Sequence, residues 1–161
     1  MIRTLIAAAC LIAPVAALAQ AAPETVVTPQ DSAWHNRQGL AIASLKAADG
    51  WQVLPGNGRW RRVAGDGSGR HPTVADTVRL NYRGTFIDGT EFDASTEPVE
   101  FPLGRLIKGW QVAVPLAGVG DTIEIVLPAD LAYGPKGKCT IPGNATLMFR
   151  IELLGIVAPA G

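Results

Sequence analysis

Nucleophilic catalysis calls for a Ser or Cys beside a His and a carboxylate. The chain has only two histidines, His35 in an N-terminal helical pattern and His71 in a loop, and no convincing triad can be built on either. Gly65, Gly67 and Gly69 imitate a dinucleotide-binding loop, but no helix follows and His71-Pro72 is a poor helix start, so the segment reads as a surface turn. The Gly-Lys pair in Gly134 to Thr140 lacks the earlier glycine of a phosphate-binding loop, and Asn144-Ala145-Thr146 is a glycosylation pattern too short to carry weight. What remains is a set of apolar residues: Tyr82, Phe92, Phe101, Leu106, Ile107, Trp110, Tyr133 and Phe149. By residue type alone these are core formers.

The elements that must hold them are mostly strands. After Gly50 the apolar period becomes two, at Trp60 and Arg62, at Val78, Leu80 and Tyr82, at Ile123, Ile125 and Leu127, and at Leu147, Phe149, Ile151 and Leu153. Asp88-Gly89 supplies the positive backbone angles of a tight hairpin. One stretch inside this region reads as helix, Lys108 to Ala117, and Pro115 limits it to about two turns. A second short helix is expected between Asp31-Ser32 and Ala48, with Trp34, Leu40, Ile42 and Leu45 as its apolar residues and Asp49-Gly50 as its stop. The pattern predicts an α+β domain, an antiparallel sheet wrapped on one short helix, with a short N-terminal helix.

Residues 1–19 have one basic residue, Arg3, then an apolar run closing in Ala17-Leu18-Ala19. They read as a secretory signal peptide, because about 14 apolar residues fall short of the ~20 that span a bilayer. Residues 20–52 are expected to be a linker and the short helix, residues 53–156 the main domain, and residues 157–161 a tail. Removal of the leader takes Cys10 away and leaves Cys139 as the sole cysteine of the mature chain, so neither an internal disulfide nor a cysteine metal site is expected there. With 14 basic and 14 acidic residues the formal charge is zero, which lacks the footprint nucleic acid demands. The 18 Gly and 12 Pro are too many for a helical bundle.

Four segments in order, VRLNYRGTFIDGTEFDAS from Val78, FPLGRLIKGW from Phe101, PADLAYG from Pro128 and ATLMFRIELL from Ala145, closely resemble the FKBP-type peptidyl-prolyl cis-trans isomerases. The likeness covers about Val53 to Ile156, and the preceding helix and linker resemble the amino-terminal extension of bacterial periplasmic members. It implies a half-barrel antiparallel β-sheet around one short α-helix. It also implies a prolyl pocket with Trp110 as floor and Tyr82, Phe101, Ile107 and Phe149 as walls. Tyr133 resembles the loop tyrosine whose hydroxyl meets a substrate carbonyl, with a half-buried loop anchor as the alternative. Ile107 matches a residue whose main-chain N–H holds the ligand, and Phe92-Asp93 the pair that sets a carboxylate at the pocket edge. Val99, Leu106 and Ile141 complete the substrate-binding set.

Such chemistry requires no cofactor and no metal. Rotation about a peptide bond is opposed by about 18–20 kcal/mol of amide resonance, and no bond is made or broken. A catalyst has only to bind the twisted amide better than either planar isomer. Twisting reduces charge separation, so an apolar, water-poor hollow favours it, and each 1.36 kcal/mol of preference gives tenfold in rate.

The expected partners are unfolded or proline-containing polypeptides and macrolide inhibitors, with no nucleic acid, no membrane after leader removal, and a monomer acting in the periplasm. A non-catalytic holdase using the same groove is the competing reading. Several residues depart from the family pattern. Only Thr96 and Glu97 separate Ser95 from Pro98, without the arginine that often pairs with the carboxylate. Val99 stands where Phe is frequent, and the flap Pro135 to Gly143 has Lys138 where His is common. These changes are expected to lower macrolide affinity.

Overall fold

The structure, a computed structural model, describes residues 31–157, so the expected leader, residues 20–30 of the linker and residues 158–161 lie outside the described residues. The alternating apolar pattern becomes a seven-stranded antiparallel sheet. Its strands are β1 (Gln52–Val53), β2 (Arg59–Ala64), β3 (Thr77–Phe86), β4 (Glu91–Ala94), β5 (Val99–Pro102), β6 (Thr122–Leu127) and β7 (Leu147–Val157). The order is β1-β2-β6-β7-β3-β4, and β5 pairs β3 beside β4. β4 and β5 thus form one interrupted edge, with β5 on Thr77 to Leu80 and β4 on Arg83 to Thr85. Val157, expected in the tail, still pairs with Thr77.

Alternation decides which side chains enter the core. Val78, Leu80, Ile123, Ile125, Leu127, Leu147, Ile151 and Leu153 are fully or almost fully buried on the concave face. Against that face lies the helix α2 (Lys108–Ala113), which continues as a 3₁₀ turn through Val114–Leu116. Gly109 allows the close approach, since a Cβ there would run into the Leu127 side chain.

The helix α1 (Ser32–Ala43) covers part of the opposite face. Its N-cap is Asp31, whose carboxylate accepts a hydrogen bond from Trp34 N–H at 2.7 Å. It ends earlier than the sequence pattern predicts, and a separate 3₁₀ turn, Ala47–Asp49, is closed by Gly50 at φ 83°. Ile42 packs with Trp51 and Val126 in a small second cluster that Leu45 and Met148 join. Val126 and Met148 are cross-strand partners, while their neighbours Ile125 and Phe149 point the other way into the main core. Leu40 does not join: it is 65% exposed, and the residue that is buried, Gln38, lies two positions before it on the other side of the helix. Gln38 Oε1 accepts from Thr146 N–H at 2.8 Å, and the Thr146 hydroxyl donates to Gln38 O at 3.3 Å.

The glycines expected to form a plain surface turn are anchored on Asp121, whose side chain is 2% exposed. Its carboxylate accepts from Gly67 N–H at 3.0 Å, Gly118 N–H at 2.8 Å and Arg62 Nε at 2.8 Å. Burial pushes this carboxyl up, but the amide hydrogen bonds and the Arg62 guanidinium outweigh it and hold it below the usual carboxylate range. At Gly65, φ is 87° and a Cβ would strike Asp121 Oδ1, so only glycine fits.

The β3–β4 turn falls where Asp88-Gly89 places it but has a different form. Of the two residues only Gly89 takes a positive φ, 85°. Gly89 N–H donates to Phe86 O at 3.0 Å and Phe86 N–H to Thr90 O at 2.9 Å. This is a type I turn closed by a glycine bulge. The Asp88 carboxylate, which accepts from Thr90 N–H at 2.9 Å, favours that form.

Candidate active site

Three elements bring the apolar residues together. α2 contributes Trp110, the concave face of the sheet contributes Tyr82, Phe101 and Phe149, and loops contribute Leu106, Ile107, Tyr133 and Ile141. Trp110 and Phe149 are 4% and 5% exposed, while Tyr82, Phe92, Val99, Phe101, Leu106, Ile107, Tyr133 and Ile141 are half-buried and pack against the same core. The apolar site residues therefore form one cluster with a buried floor and partly open walls. Asp93 stands apart as the exposed carboxylate at its margin.

The Trp110 indole is wedged by perpendicular rings. Tyr82 lies 5.5 Å away at 79° and Phe149 5.4 Å away at 86°, both edge-to-face arrangements that ring quadrupoles favour. Phe92 meets Phe149 at 5.7 Å and 89°, and Phe101 meets Tyr82 at 6.1 Å. The indole N–H is buried with no hydrogen-bond partner among the described residues, so packing alone orients the ring. Gly84 makes the crowding feasible: a Cβ there would come 2.7 Å from Phe92 Cζ and 3.0 Å from Phe149 Cε1.

A β-bulge positions Phe92 and Asp93. Gly84 pairs with Asp93 and Thr85 with Glu91, so Phe92 is the extra residue of the bulge. On a regular strand two adjacent side chains point to opposite faces. Here Phe92 reaches Phe149 while Asp93 Oδ2 accepts a hydrogen bond from the Tyr82 hydroxyl at 2.7 Å. The backbone around Tyr82 is clamped as well, with Tyr82 N–H donating to Ser95 Oγ and Ser95 N–H to Tyr82 O, both at 2.9 Å.

Burial pushes both phenols up, and the negative charge of Asp93 adds to the effect. Tyr82, which also donates to Asp93, is raised strongly, and both hydroxyls are neutral donors at neutral pH. Among the described residues Tyr82 is the side-chain hydrogen-bond partner of Asp93.

Ile107 is the N-cap of α2, and its N–H makes no hydrogen bond among the described residues. Beside it, Gln111 Nε2 donates to Leu106 O at 2.7 Å and Gly104 O at 3.2 Å, fixing the loop that leads into the helix. In the flap, Lys138 and Ile141 exchange backbone hydrogen bonds at 2.8 and 2.9 Å. Lys138 Nζ stands 5.7 Å from the Tyr133 ring centroid, a cation–π distance.

Gly84, Ser95 and Phe86 join the site without standing out in the sequence as site residues. A glycine inside a strand pattern is a signal for close approach, and Gly84 carried it. Phe86 joins the aromatic row through Phe92 at 5.0 Å. Among the described residues no group of three or more His, Cys, Asp or Glu could hold a metal ion. The arrangement can bind a compact apolar group on the indole with polar contacts at its edge.

Residues 68–154 match the family model for the FKBP-type peptidyl-prolyl cis-trans isomerase. The chain is 46% identical over 97 residues to the FKBP-type peptidyl-prolyl cis-trans isomerase FkpA of Aeromonas hydrophila, covering 58% of this chain and 36% of that protein. It is 37% identical over 112 residues to FK506-binding protein 1 of Saccharomyces cerevisiae, covering 65% of this chain and 97% of that one. Among solved structures it superposes on a peptidyl-prolyl cis-trans isomerase from Pseudomonas syringae with a TM-score of 0.74 at 30% identity, covering 81% and 97% of the two chains. FkpA from Escherichia coli gives 0.70 at 36% identity, covering 80% and 60%. The chain spans between a third and a half of the length of the first bacterial relatives, 36% of the Aeromonas protein and 48% of the Escherichia coli FKBP-type 22 kDa isomerase. A matched family model over more than half of the chain, on a sheet and helix of the same form, means that this chain belongs to the FKBP-type peptidyl-prolyl cis-trans isomerase family.

Proposed function

We propose that the protein catalyses cis–trans rotation of Xaa-Pro peptide bonds in proline-containing polypeptides, through the domain spanning residues 53–156. One observation carries this reading: a buried indole, Trp110, boxed by the perpendicular rings of Tyr82 and Phe149 inside a rim of half-buried apolar side chains. A pyrrolidine ring seated on the indole leaves its imide bond among Tyr82, Phe101, Ile107 and Phe149, where little water competes. The planar amide has the larger dipole and loses more hydration there than the twisted one, so the barrier falls. The Ile107 N–H and the Tyr133 hydroxyl are donors for substrate carbonyls on either side of the ring. Asp93 fixes Tyr82 and shapes the local field without covalent chemistry.

The leader-like residues 1–19 support export to the periplasm, where the clients are unfolded secreted chains. Among the described residues no helix is long and apolar enough to cross a membrane. The protein acts as a monomer and requires no cofactor. The name of the yeast relative, FK506-binding protein 1, extends the reading to macrolide ligands. Val99 and the altered flap are expected to weaken them here.

The test is cis-to-trans conversion of a proline tetrapeptide by purified residues 20–161, with and without a macrolide. Acceleration is expected, with Trp110→Leu slower by about tenfold or more in kcat/KM, equivalent to 1.36 kcal/mol or more of lost transition-state stabilisation. A wild-type rate equal to buffer, together with retention of unfolded chains, would replace catalysis by the holdase reading.

A further inference from the structure

A groove of about 640 Å³ lies between α1, the β3–β4 turn and the flap. Trp34, Phe86, Ile87 and Pro142 supply its apolar lining, and the exposed Arg37 and Asp88 also line it. We propose that this groove extends the proline site and takes an apolar side chain of an extended polypeptide client, a few residues from the isomerising bond. The proposal rests on the isomerase reading given above.

Continuity with the proline site is the first argument. Ring-to-ring steps of 5.4, 5.7 and 5.0 Å lead from Trp110 through Phe149 and Phe92 to Phe86, which faces the groove. The flap joins the two regions: Ile141 packs against the core cluster that holds Trp110, and the next residue, Pro142, lines the groove. The ring-to-ring steps bound the separation of Trp110 from Phe86, so an extended client advancing about 3.3 Å per residue over the surface above them reaches the groove within about five residues of its proline.

The charges are the second argument. One cation and one anion line the groove, which leaves no net field to select a phosphate or another strongly charged ligand. Such a setting suits a neutral main chain, whose carbonyls meet Arg37 and whose amides meet Asp88. A large aliphatic or aromatic client side chain removes enough apolar surface from water to change affinity by about tenfold.

The experiment uses the chain with α1 present and three substrates: a proline tetrapeptide, and two longer peptides carrying Leu or Ser at positions scanned within about five residues of the proline. Wild type is expected to favour the Leu peptide over the Ser peptide in kcat/KM by about tenfold at one such position. Ile87→Asp is expected to abolish that preference while leaving the tetrapeptide rate unchanged, and Ile87→Ser serves if the aspartate variant does not fold. Activity on the tetrapeptide with no Leu preference anywhere overturns the groove assignment and leaves the isomerase reading intact. Inactivity of wild type on every peptide overturns both. Sedimentation showing a dimer that Ile87→Asp dissociates would assign the groove to a second copy of the chain and overturn the proposal.

Discussion

The Tyr82 hydroxyl donates to Asp93 Oδ2 at 2.7 Å, joining a central strand to the bulged edge strand at the margin of the aromatic cluster. The bond ties up one carboxylate oxygen of an exposed residue and holds a half-buried phenol against the Trp110 indole. In the proposed reaction Asp93 is thereby a positioning residue, whose effect on rotation would pass through Tyr82.

Tyr82→Phe and Asp93→Asn are therefore each expected to lower kcat/KM on a proline tetrapeptide by no more than about tenfold, less than Trp110→Leu. The double variant should lose about as much as either single one, because both remove the same contact. Protease-coupled kinetics on the four proteins checks this, and a larger loss for Asp93→Asn than for Trp110→Leu would give the carboxylate a direct part in the reaction.

The chain has two tyrosines, Tyr82 and Tyr133, and burial and the Asp93 charge raise both. Ultraviolet difference titration of the folded protein should show no tyrosinate at the pH where free tyrosine ionises, near 10. Since the folded values lie above the unfolded ones, the stability they contribute is complete below pH about 10 and is lost as pH rises through the folded values. Asp93→Asn should bring tyrosinate formation to lower pH.

Asp121 gives the opposite limb. Its folded value is lowered, so its contribution is present above the unfolded aspartate value near 4 and is lost as pH falls through the folded one. Asp121→Asn replaces an acceptor-only group facing three donors, and is expected to destabilise the protein by about 2–3 kcal/mol at neutral pH. Urea unfolding at a series of pH values should show that gap narrowing toward acid. A gap independent of pH would mean that the Asp121 charge is not what holds the Gly65–Gly69 loop.

Gln38→Ala leaves the buried Thr146 N–H without its acceptor and should cost about 1–3 kcal/mol. The expected signature is a lower urea midpoint with early protease cleavage within α1. An unchanged midpoint would show that α1 is held by Trp34 and Ile42 alone.

Much of this molecule is local and was legible as such. The alternation of Val78 and Leu80 or of Ile123 and Ile125 determined both the strands and the face they bury, because side chains on a strand point alternately to its two sides. Asp31 before an apolar stretch marked a helix start, and Pro115 marked a helix end. The aromatic residues of the site were also readable, although their gathering was expected from a family likeness and not from their spacing.

What only the tertiary structure decided depends on partners distant in the chain. Phe92 and Asp93 serve the same site because the register of β4 on β3 leaves one residue over, and no periodicity within β4 reports that. Gln38 is buried and Leu40 is not because Thr146 sits across from the helix and satisfies its amide, a pairing 108 residues apart that overrides hydropathy. Asp121 anchors the surface turn in the same way, by meeting Gly67 from 54 residues away. Local sequence determined which residues are apolar and how they alternate; the long-range register and the satisfaction of buried polar groups decided which of them share a site.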